Sequence, residues 1–194
     1  MKLDKESMDL IFDEARTHKY FEKTEISDDL LIQIYDELKM APTWANCQSG
    51  RFVFVKSEEG KKRLLPFVAE SNQRKVEEAS ATVIAAYDSK FYEFMPRLYP
   101  HGDYYTMFSQ DETFAERAGL LSGSLQGAYL IIAARALGLD CGPMGGFDNA
   151  GVDKEFFPDG RFKSVFLCNL GIGDKSKLHP RDDRFKFDEA CKIL

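Results

Sequence analysis

Apolar and charged positions alternate along the chain with two periods, one helical and one extended. Met8, Leu10, Ile11 and Phe12 stand among acids between Ser7 and Ala15 and predict a helix. Ser27-Asp28-Asp29 is a capping start, and the face Leu30, Leu31, Ile34, Leu38 follows it at helical spacing. Arg51–Lys56 reads as a strand, Glu58–Val68 as a helix bent at Pro66, and Thr82–Tyr87 as a buried strand. Asn72–Glu78 reads as a solvated helix start. Glu112–Leu137 is one long helix, Leu139–Met144 and Ser164–Gly171 are strands, and Phe187–Leu194 closes the chain as a short helix. Strands scattered among helices predict an α+β or α/β sandwich, with the strand order left open. No Pro/Gly/Ser-rich linker or repeat divides residues 1–194, so one domain is expected, with an excursion at 89–111.

The long helix adds an expectation about assembly. Ser122, Gly123, Ser124, Gly127 and Ala128 allow another backbone to approach closely, either within the chain or across subunits. Ala128–Ala134 is apolar all round and predicts burial on every side, for which a second subunit is one means.

Composition narrows the function classes. A length of 194 residues supports a core without disulfides or metal. A net charge of −6 argues against a general nucleic-acid or anionic-membrane surface, and it makes any local basic cluster more telling. Cys47, Cys141, Cys168 and Cys191 show no Cys-x-x-Cys spacing and only three histidines accompany them, so no metal site is expected. The N-terminus carries no apolar signal region and no apolar run is long enough to span a membrane, which together predict a cytoplasmic protein with reduced thiols. Cys47 has no histidine or asparagine pattern around it and is expected to be structural.

Gly142-Pro143-Met144-Gly145-Gly146-Phe147-Asp148 carries the candidate chemistry. It suits a helix-to-strand connection with a capping glycine, and equally a bare backbone laid against a flat ligand. Arg16-Thr17-His18, Pro42–Gln48, Asn72-Gln73-Arg74-Lys75 and Arg181-Asp182-Asp183-Arg184 accompany it. Read alone, Arg16 can favour a helix C-terminus, and Arg181 and Arg184 can pair with Asp182 and Asp183.

Taken in order, these segments resemble the nitroreductase family of FMN-dependent, NAD(P)H-oxidising enzymes. Phe91-Tyr92-Glu93 and Pro100-His101-Gly102-Asp103 bring the chain nearest to the malonic semialdehyde reductase subgroup. The resemblance covers about the whole chain. It implies a central mixed β-sheet flanked by helices in an obligate homodimer, with FMN at the subunit interface. It places Arg16, Thr17, His18, Arg181 and Arg184 at the FMN phosphate, with Lys177 a further candidate. It sets Asn72 and Lys75 at the ring edge, and Pro143, Met144, Gly145 and Gly146 against the ring, a backbone N–H of Gly145 or Gly146 meeting N5. Many relatives carry glutamate at the position of Gly145. Thr43 and Asn46 would reach the flavin of the partner subunit.

The implied reaction passes hydride from NADH or NADPH through FMN to a small-molecule acceptor, malonic semialdehyde in the subgroup and nitroaromatics or quinones in the family at large. No dinucleotide fingerprint is present, which suits a nicotinamide that visits and leaves. A flavin-binding protein without turnover is the alternative of another class. Trp44, Arg97 and His101 are the substrate candidates, against a partly buried anchor for Trp44 and surface contacts for the other two. Seven aromatics within Lys90–Gln110 suit a lid over the pocket or a satellite hydrophobic cluster.

Overall fold

The computed structural model describes residues 2–194. Helix α1 (Lys5–Met8) passes into a π-helical turn, Asp9–Asp13, where a helix over Ser7–Ala15 was expected. Helix α2 (Asp28–Leu38) starts at Ser27, whose hydroxyl accepts from the Leu30 N–H. Strand β1 (Gly50–Val55) leads to α3 (Glu58–Leu64). The expected bend at Pro66 is a change of helix type, since α3 ends and Leu65–Phe67 forms a 3₁₀ turn. Helix α4 (Glu70–Glu78) precedes β2 (Ala81–Asp88), which is buried along its whole length. Short helices α5 (Met95–Leu98) and α6 (Tyr104–Ser109) lead to α7 (Glu112–Ala136), which runs for 25 residues. Gly138, at φ +84°, turns the chain out of α7 in the left-handed region that glycine tolerates. Then follow β3 (Asp140–Met144), α8 (Asn149–Phe156), β4 (Phe162–Gly171) and α9 (Phe187–Ala190), which stops short of the expected Leu194.

The sheet order is β1-β2-β4-β3. All three pairings are antiparallel, which corrects the expected mixed sheet. Parallel pairing among the described residues is confined to one bridge, Thr17 to Cys141.

Helices α2 and α7 cover one face of the sheet through Leu31, Ile34, Leu38, Leu130 and Ala134. Leu64, Val76, Val152 and Leu167 fill a second core. The small residues of α7 face the chain's own sheet. A Cβ on Gly123 would lie 2.9 Å from that of Tyr87, and one on Gly127 would overlap the Phe166 ring. The opposite side of α7 is not buried within the chain: Leu121 is 50% exposed, and Leu120, Leu125 and Tyr129 are also open. Burial on every side, expected for Ala128–Ala134, therefore does not occur within one chain.

The excursion folds as short helical turns around Phe91, Met95 and Phe108, packed on the N-terminal half of α7 through Ala115 and Ala118. Asp88 anchors its start. The buried Asp88 carboxylate accepts from Arg51 at 2.7 Å, from Arg161 at 2.9 and 3.0 Å, and from the Lys90 N–H at 2.9 Å.

Candidate functional site

A cavity of about 500 Å³ opens between the first turn region and the C-terminal segment. Its wall holds Arg16, Thr17, Lys19, Arg135, Lys177, Arg181 and Arg184, with Asp182 as its one acid. The guanidinium groups are held by backbone carbonyls. Arg16 donates to His179 O at 2.5 Å, Arg181 to Asp13 O and Ala15 O at 2.5 and 3.0 Å, and Arg184 to Asp182 O and Asp183 O at 2.9 and 2.8 Å. Carboxylate pairing, the other reading of Arg181 and Arg184, is not what the structure shows. Among the described residues none of these arginines forms an ion pair. Carbonyls orient a guanidinium without cancelling its charge, so the cavity keeps a concentrated positive field in an acidic protein. Nε of Arg135, buried at this wall, is also without a hydrogen-bond partner among the described residues.

The Thr17–Cys141 bridge and the bond from His18 N–H to Cys141 O, 2.9 Å, lay this basic segment beside β3. Two residues beyond β3 the chain meets α4. Ala69 N–H and Asn72 Nδ2 both donate to Gly146 O, at 3.0 and 3.2 Å, and Lys75 Nζ donates to Asn72 Oδ1 at 2.5 Å. Asn72 is buried although it belongs to an otherwise solvated helix. Burial, followed by the nearby Lys19 and Arg74, holds the Lys75 ammonium below its ordinary pKa. Lys19 thus links the cavity wall to the Asn72–Lys75 pair, and sequence reasoning missed it although it directly follows Arg16-Thr17-His18. Arg135 and His179 were missed too, because nothing in their local sequence sets them apart.

Other sequence candidates lie elsewhere. The His18 side chain is turned away from the cavity, 3% exposed, with Nε2 3.3 Å from Asp140 Oδ1 and its ring against Gly173. Burial, only partly opposed by Asp140, lowers its pKa. Met144 is half-buried and packs part of its side chain against the second core. Pro143 pairs with Cys168 inside the sheet. Gly145 is open to solvent, and no other atom lies within 4 Å of the place its Cβ would take.

Thr43 and Asn46 stand at the far edge of the sheet, just before β1. Three inter-strand spacings, about 14 Å, separate that edge from β3. Thr43 Oγ1 accepts from Gln48 N–H at 3.2 Å, and Asn46 Nδ2 donates to Leu98 O at 2.9 Å. Ala45, Asn46 and Gln48 all have φ between 45° and 54°, a left-handed run of non-glycine residues that costs energy. Trp44 packs edge-on to Phe114 and Phe108, centroids 5.1 and 6.2 Å apart, as an anchor of the excursion. Arg97 lies over the Phe94 ring at a second cavity of about 570 Å³, shared with Asn46. His101 is exposed against Tyr99 and does not share that cavity. Cys47 is buried, and burial pushes its thiol pKa up, which disfavours the thiolate. No group of metal-binding side chains is found among the described residues, and no helix there is long and apolar enough to cross a membrane.

The Nitroreductase family model matches residues 13–172. The chain belongs to the nitroreductase family. A Ralstonia nicotianae protein provisionally named NADH dehydrogenase/NAD(P)H nitroreductase is 50% identical over 192 residues, covering 99% of this chain and 98% of its own. A Polynucleobacter asymbioticus relative of the same provisional name is 51% identical over 192 residues, with the same coverage of 99% and 98%. Among solved structures, a nitroreductase from Exiguobacterium sibiricum in complex with FMN superposes with a TM-score of 0.86 at 20% identity, over 100% of this chain and 99% of that one. The enone reductase CLA-ER, from gut-bacterial fatty acid saturation, superposes with a TM-score of 0.86 at 22% identity over 100% of both chains. At these identities the two structures establish the nitroreductase fold and nothing finer.

Proposed function

We propose that this nitroreductase-family chain is an FMN-dependent NAD(P)H oxidoreductase that works as a homodimer. One observation carries the reading: arginines held by carbonyls, and free of carboxylates, wall a cavity that the Thr17–Cys141 bridge joins to β3, and the loop after β3 carries the Asn72–Lys75–Gly146 hydrogen-bond chain. FMN asks for cations at a phosphate, for a donor and acceptor pair at the edge of its ring, and for uncluttered backbone beside the ring. The residues present fit all three needs. Arg16, Lys177, Arg181 and Arg184 would hold the phosphate. Asn72 and Lys75 would meet the ring edge, and the backbone of Pro143–Gly146 would lie along the ring. His18 would act through its backbone, because its imidazole is committed to Asp140. When bound, FMN supplies a centre that takes and gives hydride.

The chain's own groups bind, orient and set the field. The Lys75 ammonium favours negative charge developing beside it in a partly dry site. In the net reaction NAD(P)H and one proton supply two electrons and two hydrogens to the acceptor. A nitro group becomes nitroso with loss of water, a quinone becomes hydroquinone, and an aldehyde becomes an alcohol. The names carried by relatives at half identity favour NAD(P)H as donor and nitro compounds as acceptors. The subgroup motifs favour malonic semialdehyde, a small 3-oxo acid, with Arg97 as the candidate for its carboxylate, since His101 lies outside the cavity that Arg97 lines.

Two features support a dimer. Thr43 and Asn46 stand across the sheet from β3, so only another chain's β3 could bring them to a flavin. Leu120, Leu121, Leu125 and Tyr129 offer an apolar face on α7 that the chain itself leaves open.

The test is anaerobic reduction of the purified yellow protein by NADH and by NADPH, followed by reoxidation with malonic semialdehyde, a nitrofuran and a quinone. Bleaching by a nucleotide and recovery with an acceptor are expected. A flavin that neither nucleotide bleaches would leave a binding protein without turnover. Recovery with the nitrofuran and the quinone but never with the semialdehyde would remove the 3-oxo acid.

A further inference from the structure

Every glycine but one has a visible reason in the folded chain. At eleven of the fourteen, an added Cβ would meet other atoms within 4 Å. Gly138 and Gly160 have open space but adopt φ of +84° and +71°, which disfavour any side chain. Gly145 alone has neither a close neighbour nor a positive φ. Glycine costs backbone entropy relative to alanine, so the chain by itself gains nothing from it at this position.

The setting of Gly145 indicates what the missing side chain spares. Its neighbour Gly146 is closed off by Asn72, whose Nδ2 would lie 2.6 Å from an added Cβ. Asn72 holds Lys75, which has no carboxylate partner among the described residues. The nearest acid along the loop, Asp148, directs its Oδ2 towards Gly151 at the start of α8. The loop therefore presents bare backbone that one asparagine, Asn72, ties to an ammonium without a carboxylate partner.

We propose that Gly145 is a specificity-determining residue: by placing no side chain on the loop that Asn72 ties to Lys75, it leaves the site open and net positive, and so selects acceptors that carry a negative charge. This rests on the oxidoreductase reading above and deepens it. Any side chain at position 145 would occupy space next to the acceptor, and an acidic one would also repel an anionic acceptor at short range.

Gly145→Glu and Gly145→Gln separate charge from bulk, because the two side chains match in size. The probes are 4-nitrobenzoate and the neutral 4-nitrobenzamide, reduced anaerobically with NADH by the flavin-loaded dimer. Intrinsic reactivity cancels when the ratio of their kcat/KM values is compared between variants. The Glu variant should lower the benzoate-to-benzamide ratio about tenfold relative to the Gln variant. The Gln variant should slow both probes while leaving their ratio within about twofold of wild type. Equal ratios in the Glu and Gln variants would overturn the proposal, as would loss of flavin from the Glu variant alone, which would assign the position to cofactor retention. If wild type turns over neither probe despite bound flavin and NADH, the oxidoreductase reading fails first. Normal turnover with an unmoved ratio removes only the role of Gly145.

Discussion

The ammonium of Lys75 donates to Oδ1 of Asn72, and the amide of the same asparagine donates to the carbonyl of Gly146. Two residues three apart on α4 are thereby tied to the loop that follows β3, 74 positions along the chain from Asn72. The bond fixes which face of the amide points at the loop, and it holds the half-buried lysine ammonium against Asn72. Gly146 O also accepts from Ala69 N–H, so the fold does not depend on Asn72 alone.

Lys75→Met should therefore separate function from stability. The melting temperature should fall by only a few degrees, since the lost bond is one of two groups on Asn72 and is partly solvated. NADH-driven turnover should drop about a hundredfold if the ammonium stabilises charge in the reaction. A variant that turns over at the wild-type rate would show that Lys75 merely orients Asn72.

Arg16→Ala should weaken FMN retention by about 1.5–3 kcal/mol, the worth of a charged hydrogen bond. Its guanidinium has a single backbone partner, His179 O, so the chain should still fold. Equilibrium dialysis against free FMN reads the loss directly. An unchanged dissociation constant would move the phosphate to another part of the cavity.

The open face of α7 yields a test of assembly. Leu121→Asp together with Leu125→Asp places two charges on a surface that is exposed in one chain and apolar. Sedimentation should show a dimer for the wild type and a monomer for the double variant. Flavin content should fall in parallel if Thr43 and Asn46, at the sheet edge opposite β3, meet the flavin of the partner subunit. A double variant that stays dimeric would place the interface elsewhere, and a monomer retaining full flavin would refute a shared site.

His18 predicts an acid-sensitive fold. Burial first, then the nearby Lys175 and Arg16, outweigh Asp140 and hold its folded pKa below the ordinary value of 6.5. As pH falls the unfolded chain takes up this proton before the folded one does. The contribution is therefore complete above about pH 6.5 and is lost progressively below it, until the folded imidazole also protonates. Urea unfolding midpoints at about pH 7.5 and pH 5.5 should differ more in the wild type than in His18→Gln. Equal shifts in both proteins would mean that other groups account for the acid sensitivity.

What could be read from the sequence was whatever depends on neighbours in the chain. Helix α2 was legible because Ser27 caps it and Leu31, Ile34 and Leu38 repeat at helical spacing, which are local facts. Strands β2 and β4 and the length of α7 were legible for the same reason. Helix α8 was not, because Gly151 weakens its propensity and has its reason in packing: a Cβ there would collide with Phe67, 84 residues away. The basic motifs marked Arg16, Asn72, Lys75 and Arg181 as residues of interest, because their types and order survive without coordinates.

Tertiary structure decided how those residues are used. It turned His18 from the cavity to Asp140, brought Lys19 and Arg135 to the cavity, and gave Arg181 carbonyl partners in place of its adjacent aspartate. It also showed that the glycines of α7 serve the chain's own sheet, while the leucines on the other side are left open. Local spacing determines which face of an element is apolar, but the partner of that face is chosen by chain closure over long separations. A charge is likewise defined by its residue, whereas its compensation depends on which carbonyl or carboxylate the fold carries to it.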